Sequence, residues 1–311
     1  MPSSTTRNRI VLEGLFKTIM EWRNNVPEDG HINIASLGDV EHKVQFDFEN
    51  LDNAKSNLTM VPPILFHPME LAKLEVYPVD SSQAREFFDI DQSQNRFWEL
   101  GSLDRVEQIS SLIEDRATCE AQAEQGLQIV ESPDSTFWLE ALLSWPYGKK
   151  NWWDVECVRE PCPDNKGKVY PHIAFHLIDD KMAQEDSILY SEFSAIVIAM
   201  RGRANQRKVD SALEREKLDK NDGEGKEEYP YLFIDEEYFP VLMVSCVMPQ
   251  HARLFMACMS QRKKLIIRQS KLYSFERKNE APVDLFARLF LSKPLEPQNI
   301  LGWEATLRID L

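Results

Sequence analysis

The stretch that most constrains the fold is residues 238–275, YFPVLMVSCVMPQHARLFMACMSQRKKLIIRQSKLYSF. It contains three apolar runs of strand length, separated by short polar or proline-containing breaks, which predicts three β-strands in a meander. The runs occupy residues 240–248, 252–259 and 265–272. Both faces of the first run are apolar, as expected of a strand that is covered on both sides. The third run carries Arg268 and Ser270 on one face, which predicts a strand near an edge or an open face.

Composition and charge limit the classes of partner. The chain has 311 residues, of which 43% are hydrophobic and 28% charged, as is ordinary for a globular protein. Its formal net charge is −15 and its pI is about 5.0. A surface of that average charge repels phosphate backbones and anionic lipids. Nucleic acid and membrane surfaces are therefore unfavoured partners.

Cysteine usage and the N-terminal sequence bear on the compartment. The chain has five cysteines, an odd number with no CxxC pair, and two of them lie in apolar strands. Free thiols in a reducing compartment are the expected result. The first residues lack the continuous apolar region of a secretory signal, and no window approaches the length of a membrane span. We therefore expect a cytoplasmic or nuclear protein.

The order of periodic segments predicts an α+β fold in two parts. Residues 1–150 are rich in helical patterns and include a small strand pair at 31–35 and 44–48. Residues 151–311 contain a β-hairpin, a helix, the charged segment 215–228 and the meander. The charged segment, REKLDKNDGEGKEE, is expected to form a solvated linker. Helices are predicted at 8–24, 102–125, 132–145, 187–200 and 282–291, and a closing strand at 303–311.

The predicted hairpin supplies a candidate metal site. His172 and His176 share a face whether their segment is a strand or a helix, and Asp154 and Glu156 share a face on the neighbouring strand. Two imidazoles with carboxylates could bind a divalent metal such as zinc, iron or manganese. Paired histidines and acids also occur on ordinary solvated strand faces. The strand register that would bring them together cannot be obtained from the sequence.

Residues 187–311 follow the order α-β-β-β-α-β, which resembles the core of the restriction-endonuclease-like PD-(D/E)xK nucleases. That resemblance implies an acid on the second strand and an acid-x-Lys on the third, which hold a divalent ion. Here Gln269-Ser270-Lys271 occupies the third-strand position, and no acid lies between Pro249 and Lys271. Glu192 could serve from the helix. A scaffold of this type used for binding fits the sequence better than an active nuclease.

Two segments, FPVLMVSCVMPQHARLFMACM and LIIRQSKLYSF, resemble parts of uncharacterised intracellular proteins that occur in many copies in filamentous fungi. The resemblance covers about residues 238–292. It implies no activity, and it favours a cytoplasmic or nuclear setting.

Familiar catalytic signatures do not occur in the sequence. GxSxG, P-loop, GxGxxG and HExxH patterns are all absent, which removes the commonest hydrolase, nucleotide and protease motifs. The sequence therefore favours an intracellular binding or accessory protein without a recognisable catalytic motif. One alternative is a metal-dependent hydrolase or oxygenase that uses the His/carboxylate hairpin. The other is an active or degenerate PD-(D/E)xK-like nuclease.

Overall fold

The fold is taken from a computed structural model, which describes residues 4–79, 82, 84–90, 101–130, 153–221, 223–260 and 263–296. The helix predicted at 132–145 and the strand predicted at 303–311 lie outside the described residues.

The described helices include those predicted at 8–24, 187–200 and 282–291, while the helix predicted at 102–125 is divided into two. They are α1 (Ser4–Trp22), α2 (Ala54–Thr59), α3 (Leu71–Leu74), α4 (Ser102–Arg116), α5 (Cys119–Glu124), α6 (Tyr190–Asn205), α7 (Ala212–Lys220) and α8 (Val283–Phe290).

The described strands are β1 (His31–Ile32), β2 (Val40–Lys43), β3 (Phe66–His67), β4 (Leu127–Ile129), β5 (Trp153–Pro161), β6 (Ile173–Met182), β7 (Ile188–Leu189), β8 (Val241–Met248), β9 (His251–Met259), β10 (Leu265–Gln269), β11 (Tyr273–Ser274) and β12 (Lys293–Pro294).

One mixed sheet organises the described part of the chain and confirms the α+β class. Its strands lie in the order β2-β10-β9-β8-β6-β5-β4, and β11 pairs with β9 beside this path. The pairs β6/β8 and β10/β2 are parallel, and the other neighbours are antiparallel. Strands β2 and β4 precede residue 150 in the chain, so the two predicted parts contribute to the same sheet.

The predicted meander is present as β8, β9 and β10. Its first two strands are joined by the turn Pro249-Gln250, and Ser245 lies opposite Arg253 in their register. The third strand lies next to the edge strand β2, in line with one of its two predicted placements, but the predicted open face is wrong. Strand β10 is hydrogen-bonded between β9 and β2, and all of its residues are buried. Its polar side chains are buried with partners, since Arg268 donates to the carbonyl of Pro62.

Two hydrophobic cores cover the two faces of this sheet. Strand side chains alternate between the cores, so Met243 packs on one side and Val244 on the other. Helices α1 and α6 cover the first face, and α4 and α8 cover the second. Because α6 follows β6 and leads towards β8, it crosses over the sheet as a parallel pair requires. The second face carries the site described below.

The structure corrects two predictions of local structure. Residues 31–35 and 44–48 do not pair with each other, because β1 pairs with β7 and residues 44–48 form no strand. The strand in this region is β2, which ends at Lys43 and pairs in parallel with β10. Phe46 and Phe48 instead pack edge-on, with ring centroids 5.3 Å apart. The charged segment 215–228 is not a continuous linker, since helix α7 extends into it. Its one apolar residue, Leu218, is only 6% exposed and anchors that helix.

Candidate functional site

A β-bulge in β5 positions the side chains of the candidate site. Glu156 lies opposite His176 and Arg159 lies opposite Ala174, so β5 uses three residues where β6 uses two. The extra residue is Cys157, whose φ of 54° lies in the left-handed region. An inserted residue shifts the alternation of every side chain that follows it. The bulge therefore turns Arg159 towards helix α4, on the same face as Glu156.

Glu156 and His176 meet at Ser110, which projects from α4. The Ser110 hydroxyl lies 3.3 Å from Oε2 of Glu156 and 2.8 Å from Nδ1 of His176. When the hydroxyl donates to Glu156, its oxygen accepts from Nδ1–H of His176. Burial raises the pKa of Glu156, and Asp154 adds to this effect, while the bond from Ser110 opposes it. Burial also lowers the pKa of His176 well below its ordinary value, so its imidazole is neutral.

The other two predicted ligands lie apart from this contact. His172 is buried and donates from Nε2 to the carbonyl of Leu65 at 2.8 Å. Burial lowers the pKa of His172 to about 3, although that hydrogen bond opposes the shift. Four residues of strand separate it from His176, a distance of about 13 Å. Asp154 is partly buried two residues before Glu156, and burial raises its pKa.

Of the predicted ligands, Glu156 and His176 therefore share a contact with Ser110, whereas His172 contacts the carbonyl of Leu65. Among the residues that the structure describes, no group of three or more His, Cys, Asp or Glu side chains is arranged to hold a metal ion. The divalent-metal hypothesis for Asp154, Glu156, His172 and His176 stays a prediction.

Arg159 is the most unusual side chain on this face, and sequence reasoning missed it. It is 2% exposed, donates from Nη2 to Oε2 of Glu114 at 2.7 Å, and stacks with Cζ 4.3 Å from the ring centroid of Phe290. Its Nε and Nη1 are buried and have no hydrogen-bond partner among the described residues. Burial lowers the pKa of Arg159, while Glu114 and Cys157 oppose the shift. The strand pattern gives no signal for this placement, because it depends on the bulge.

Arg159 forms part of the wall of a cavity of about 530 Å³. The cavity lies between the segment that follows α3, the end of α4, helix α5 and the edge of the sheet. Its charged lining residues are Arg85, Glu114, Asp115, Glu120 and Arg159, and its other lining residues include Val76, Tyr77, Val79, Ala84, Cys119, Gln122 and Ile129. This volume lies in the range of small-molecule sites.

A second polar cluster lies on the opposite face of the sheet, where α6 begins. Glu192 and Arg253 are fully buried and form an ion pair, with Nε to Oε1 at 2.8 Å and Nη2 to Oε2 at 2.5 Å. Ser245 donates to the same carboxylate at 2.7 Å, and Arg253 also donates to the carbonyls of Gln184 and Ser187. Each charged group is therefore satisfied, and the network holds the start of α6 against the sheet.

The residues at the nuclease-like positions have similar structural partners. Gln269 donates to the carbonyl of Glu185 at 2.9 Å, and its Oε1 lies 2.9 Å from Nε2 of His42. Lys271 forms a surface ion pair with Glu49 at 2.8 Å. These side chains are engaged in contacts that stabilise the sheet end.

The arginines that follow the apolar part of α6 are also engaged within the protein. Arg201 pairs with Glu13 at 2.8 Å, and the buried Arg203 pairs with Glu160 at 2.6 Å. Arg207 stacks on the ring of Tyr231, with Cζ 3.9 Å from the centroid. Arg201 and Arg203 are therefore paired with acids within the protein, and Arg207 is held by the tyrosine ring.

No family model, curated protein or solved structure matches the chain. Among the described residues, no helix combines the length and hydrophobicity that crossing a membrane requires.

Proposed function

We propose that the protein is an intracellular binding or accessory protein and that its ligand is a small molecule held in the cavity beside Arg159. The observation that carries this proposal is the cavity itself, whose volume of about 530 Å³ suits a small molecule and whose wall is held by the buried ion pair of Arg159 and Glu114.

The chemistry of the neighbouring groups supports binding more than catalysis. Burial raises the pKa of Cys157, and Glu114 adds to this effect, so the thiol is a poor nucleophile. His176 is neutral and fully buried, and Glu192 is neutralised by Arg253. None of these groups combines exposure with the poised protonation that acid–base catalysis uses.

The compartment is part of the proposal. All five cysteines are free thiols, which supports a reducing compartment such as the cytoplasm or the nucleus. The net charge of −15 and the internally paired arginines of α6 support a partner other than nucleic acid.

The test is a thermal-shift screen with carboxylates, phosphates, sugars, nucleosides and amides. Ala84→Trp places an indole in the cavity, and Ala123→Trp is the matched control, since Ala123 is exposed on α5 and does not line the cavity. At least one compound class should raise the melting temperature of the wild type and of Ala123→Trp, and lose this effect in Ala84→Trp. If every stabilising compound acts equally on both variants, the cavity is not the binding site and the proposal fails.

The metal-dependent alternative is favoured by one contact, because Glu156 and His176 share Ser110. Its test is the metal content of the purified protein. A stoichiometric transition metal that is lost in the double variant His172→Ala/His176→Ala would support it. A metal-free protein would count against it.

A further inference from the structure

We propose that Ser187 and His31 form a nucleophile–base pair, which gives the protein a serine-dependent activity on small activated esters. This activity goes beyond ligand binding in the cavity, because the pair lies where β1 and β7 meet and neither residue lines that cavity. A hydroxyl bonded to an imidazole that a third group holds in place is the arrangement by which proteins activate a serine. The inference rests on the hydrogen bonds of the pair, its support by the fold and its position near the surface.

The hydrogen bonds of His31 decide which ring nitrogen can act as the base. Its Nε2 lies 3.0 Å from the carbonyl oxygen of Met182. Because a carbonyl only accepts, Nε2 carries the hydrogen, and in the neutral ring Nδ1 has a lone pair. The hydroxyl of Ser187 lies 2.7 Å from Nδ1 and donates to it. Nδ1 is thus placed to take the proton of the hydroxyl, while the carbonyl of Met182 fixes the ring.

Ser187 is held from its backbone by the buried polar cluster at the start of α6. Its carbonyl accepts from Nη1 of Arg253 at 3.0 Å, and Arg253 is itself fixed by the ion pair with Glu192. In the pairing of β1 with β7, His31 lies opposite Leu189, so Ser187 is its diagonal neighbour on the same face. The strand pairing and the buried cluster therefore set the hydroxyl against the ring before any substrate binds.

The chain that leads to His31 is fixed as well. The backbone N–H of His31 donates to Oδ1 of Asp29 at 3.2 Å. Gly30 has a φ of 77°, and a Cβ at this position would lie 3.2 Å from Cγ of Lys181. A glycine is therefore suited to the turn that delivers His31 to β1.

The pair lies near the protein surface. Ser187 and His31 are partly buried, and the flanking Gln184 and Asp186 are exposed. Met182, whose carbonyl holds the ring, is 64% exposed, and its thioether offers an apolar contact to a short acyl chain. A site at the surface binds a substrate with little contact area. The reaction therefore suits a small ester with a good leaving group.

The reaction has two steps, and His31 moves a proton in each. In the first step Oγ of Ser187 bonds to the acyl carbon, the bond from that carbon to the alcohol oxygen breaks, and the proton passes through Nδ1 to the departing alcohol. In the second step water bonds to the acyl carbon and the bond to Oγ breaks. One proton of the water passes through Nδ1 to Oγ, which releases the acid and restores the serine.

The first test is labelling with a fluorophosphonate, in which Oγ bonds to phosphorus and fluoride leaves. Peptide mass spectrometry compares the rate at Ser187 with that at Ser36, an exposed serine whose hydroxyl donates to the carbonyl of Asn33. A positioned base contributes about 10²–10⁴-fold, so Ser187 should be labelled at least about 100-fold faster. His31→Gln removes the base and should lower the rate at Ser187 to that of Ser36. His67→Gln, the same substitution in β3, should leave it unchanged.

The second test is hydrolysis of p-nitrophenyl acetate. The wild type should release more than one equivalent of nitrophenolate per chain, and Ser187→Ala should lose this turnover. The melting temperature of each variant shows whether it is folded, and the comparison of Ser187 with Ser36 needs no variant. The proposal is overturned if Ser187 is labelled no faster than Ser36, or if His31→Gln is labelled as fast as the wild type. Equal hydrolysis by Ser187→Ala and the wild type also overturns it.

Discussion

Replacing Asp179 by asparagine should make the free energy of unfolding of this protein less dependent on pH. Asp179 is 2% exposed, and it accepts hydrogen bonds from the hydroxyl of Ser191 and, at 2.9 Å, from the backbone N–H of Lys181. Burial raises its pKa from 3.8 to about 7, and the nearby Glu192 and Asp180 add to this effect, while the hydrogen bonds oppose it. The folded protein therefore holds a proton that the unfolded chain releases at much lower pH.

The sign and size of the effect follow from this difference in pKa. Below the unfolded value of 3.8 the carboxyl is protonated in both states, so it adds no dependence on pH. Between about pH 4 and pH 7 the unfolded state loses the proton first, and the free energy of unfolding falls as the pH rises. A shift of about 3 units corresponds to about 4 kcal/mol, of which about 2.5 kcal/mol falls between pH 5 and pH 8.

The assay is urea unfolding of wild type and Asp179→Asn at several pH values, followed by tryptophan fluorescence. The stability of Asp179→Asn relative to the wild type should rise by about 2.5 kcal/mol from pH 5 to pH 8. Asp186→Asn is the matched control, because it makes the same chemical substitution at an exposed position. Parallel pH profiles for wild type and Asp179→Asn would refute the reasoning, whatever the absolute stability of the variant.

Three further predictions concern the polar contacts and the thiols. Arg253→Met should lower the free energy of unfolding by about 3–5 kcal/mol, because it leaves Glu192 charged and buried; the double variant with Glu192→Leu should recover part of this loss in urea unfolding. Ser110→Ala should cost about 1–3 kcal/mol in the same assay, since a buried imidazole and a carboxylate lose their shared partner, and an unchanged midpoint would contradict the described contact. Cys119 should react with a thiol reagent in the folded protein, whereas the buried Cys246 should react only after unfolding; the opposite order would contradict the assigned burial.

The strands with the strongest periodicity were predictable, and those with partners far along the chain were not. Strands β8 and β9 and the β5/β6 hairpin follow from apolar runs and breaks that lie next to each other in the sequence. Residues 31–35 were predicted to pair with 44–48, but β1 pairs with β7. The sequence of a strand this short does not indicate its pairing partner. Arg268 led to the prediction of an open face, because a charged side chain usually faces water. In the structure it is buried and donates a hydrogen bond to the carbonyl of Pro62, far away in the chain.

Some residues of the candidate site could also be predicted from the sequence, and others could not. Glu156 and His176 could be singled out because alternation places each on a definite face of its strand, and the observed register brings them opposite each other. His172 shares that face, but the length of the strand keeps it about 13 Å away. Arg159 and Gln122 were not predicted, since a bulge and a short helix determine which cavity they line.

The sequence by itself determined the α+β class, the central meander and the strongly acidic net charge, because each depends on local periodicity or on composition. Only the tertiary structure decided that β10 is an interior strand, that the charged groups of α6 and β9 neutralise each other, and that Arg159 lies buried in the wall of a cavity. The physical reason is that burial and pairing join residues far apart in the chain. A polar side chain looks the same in the sequence whether water or a buried partner satisfies it.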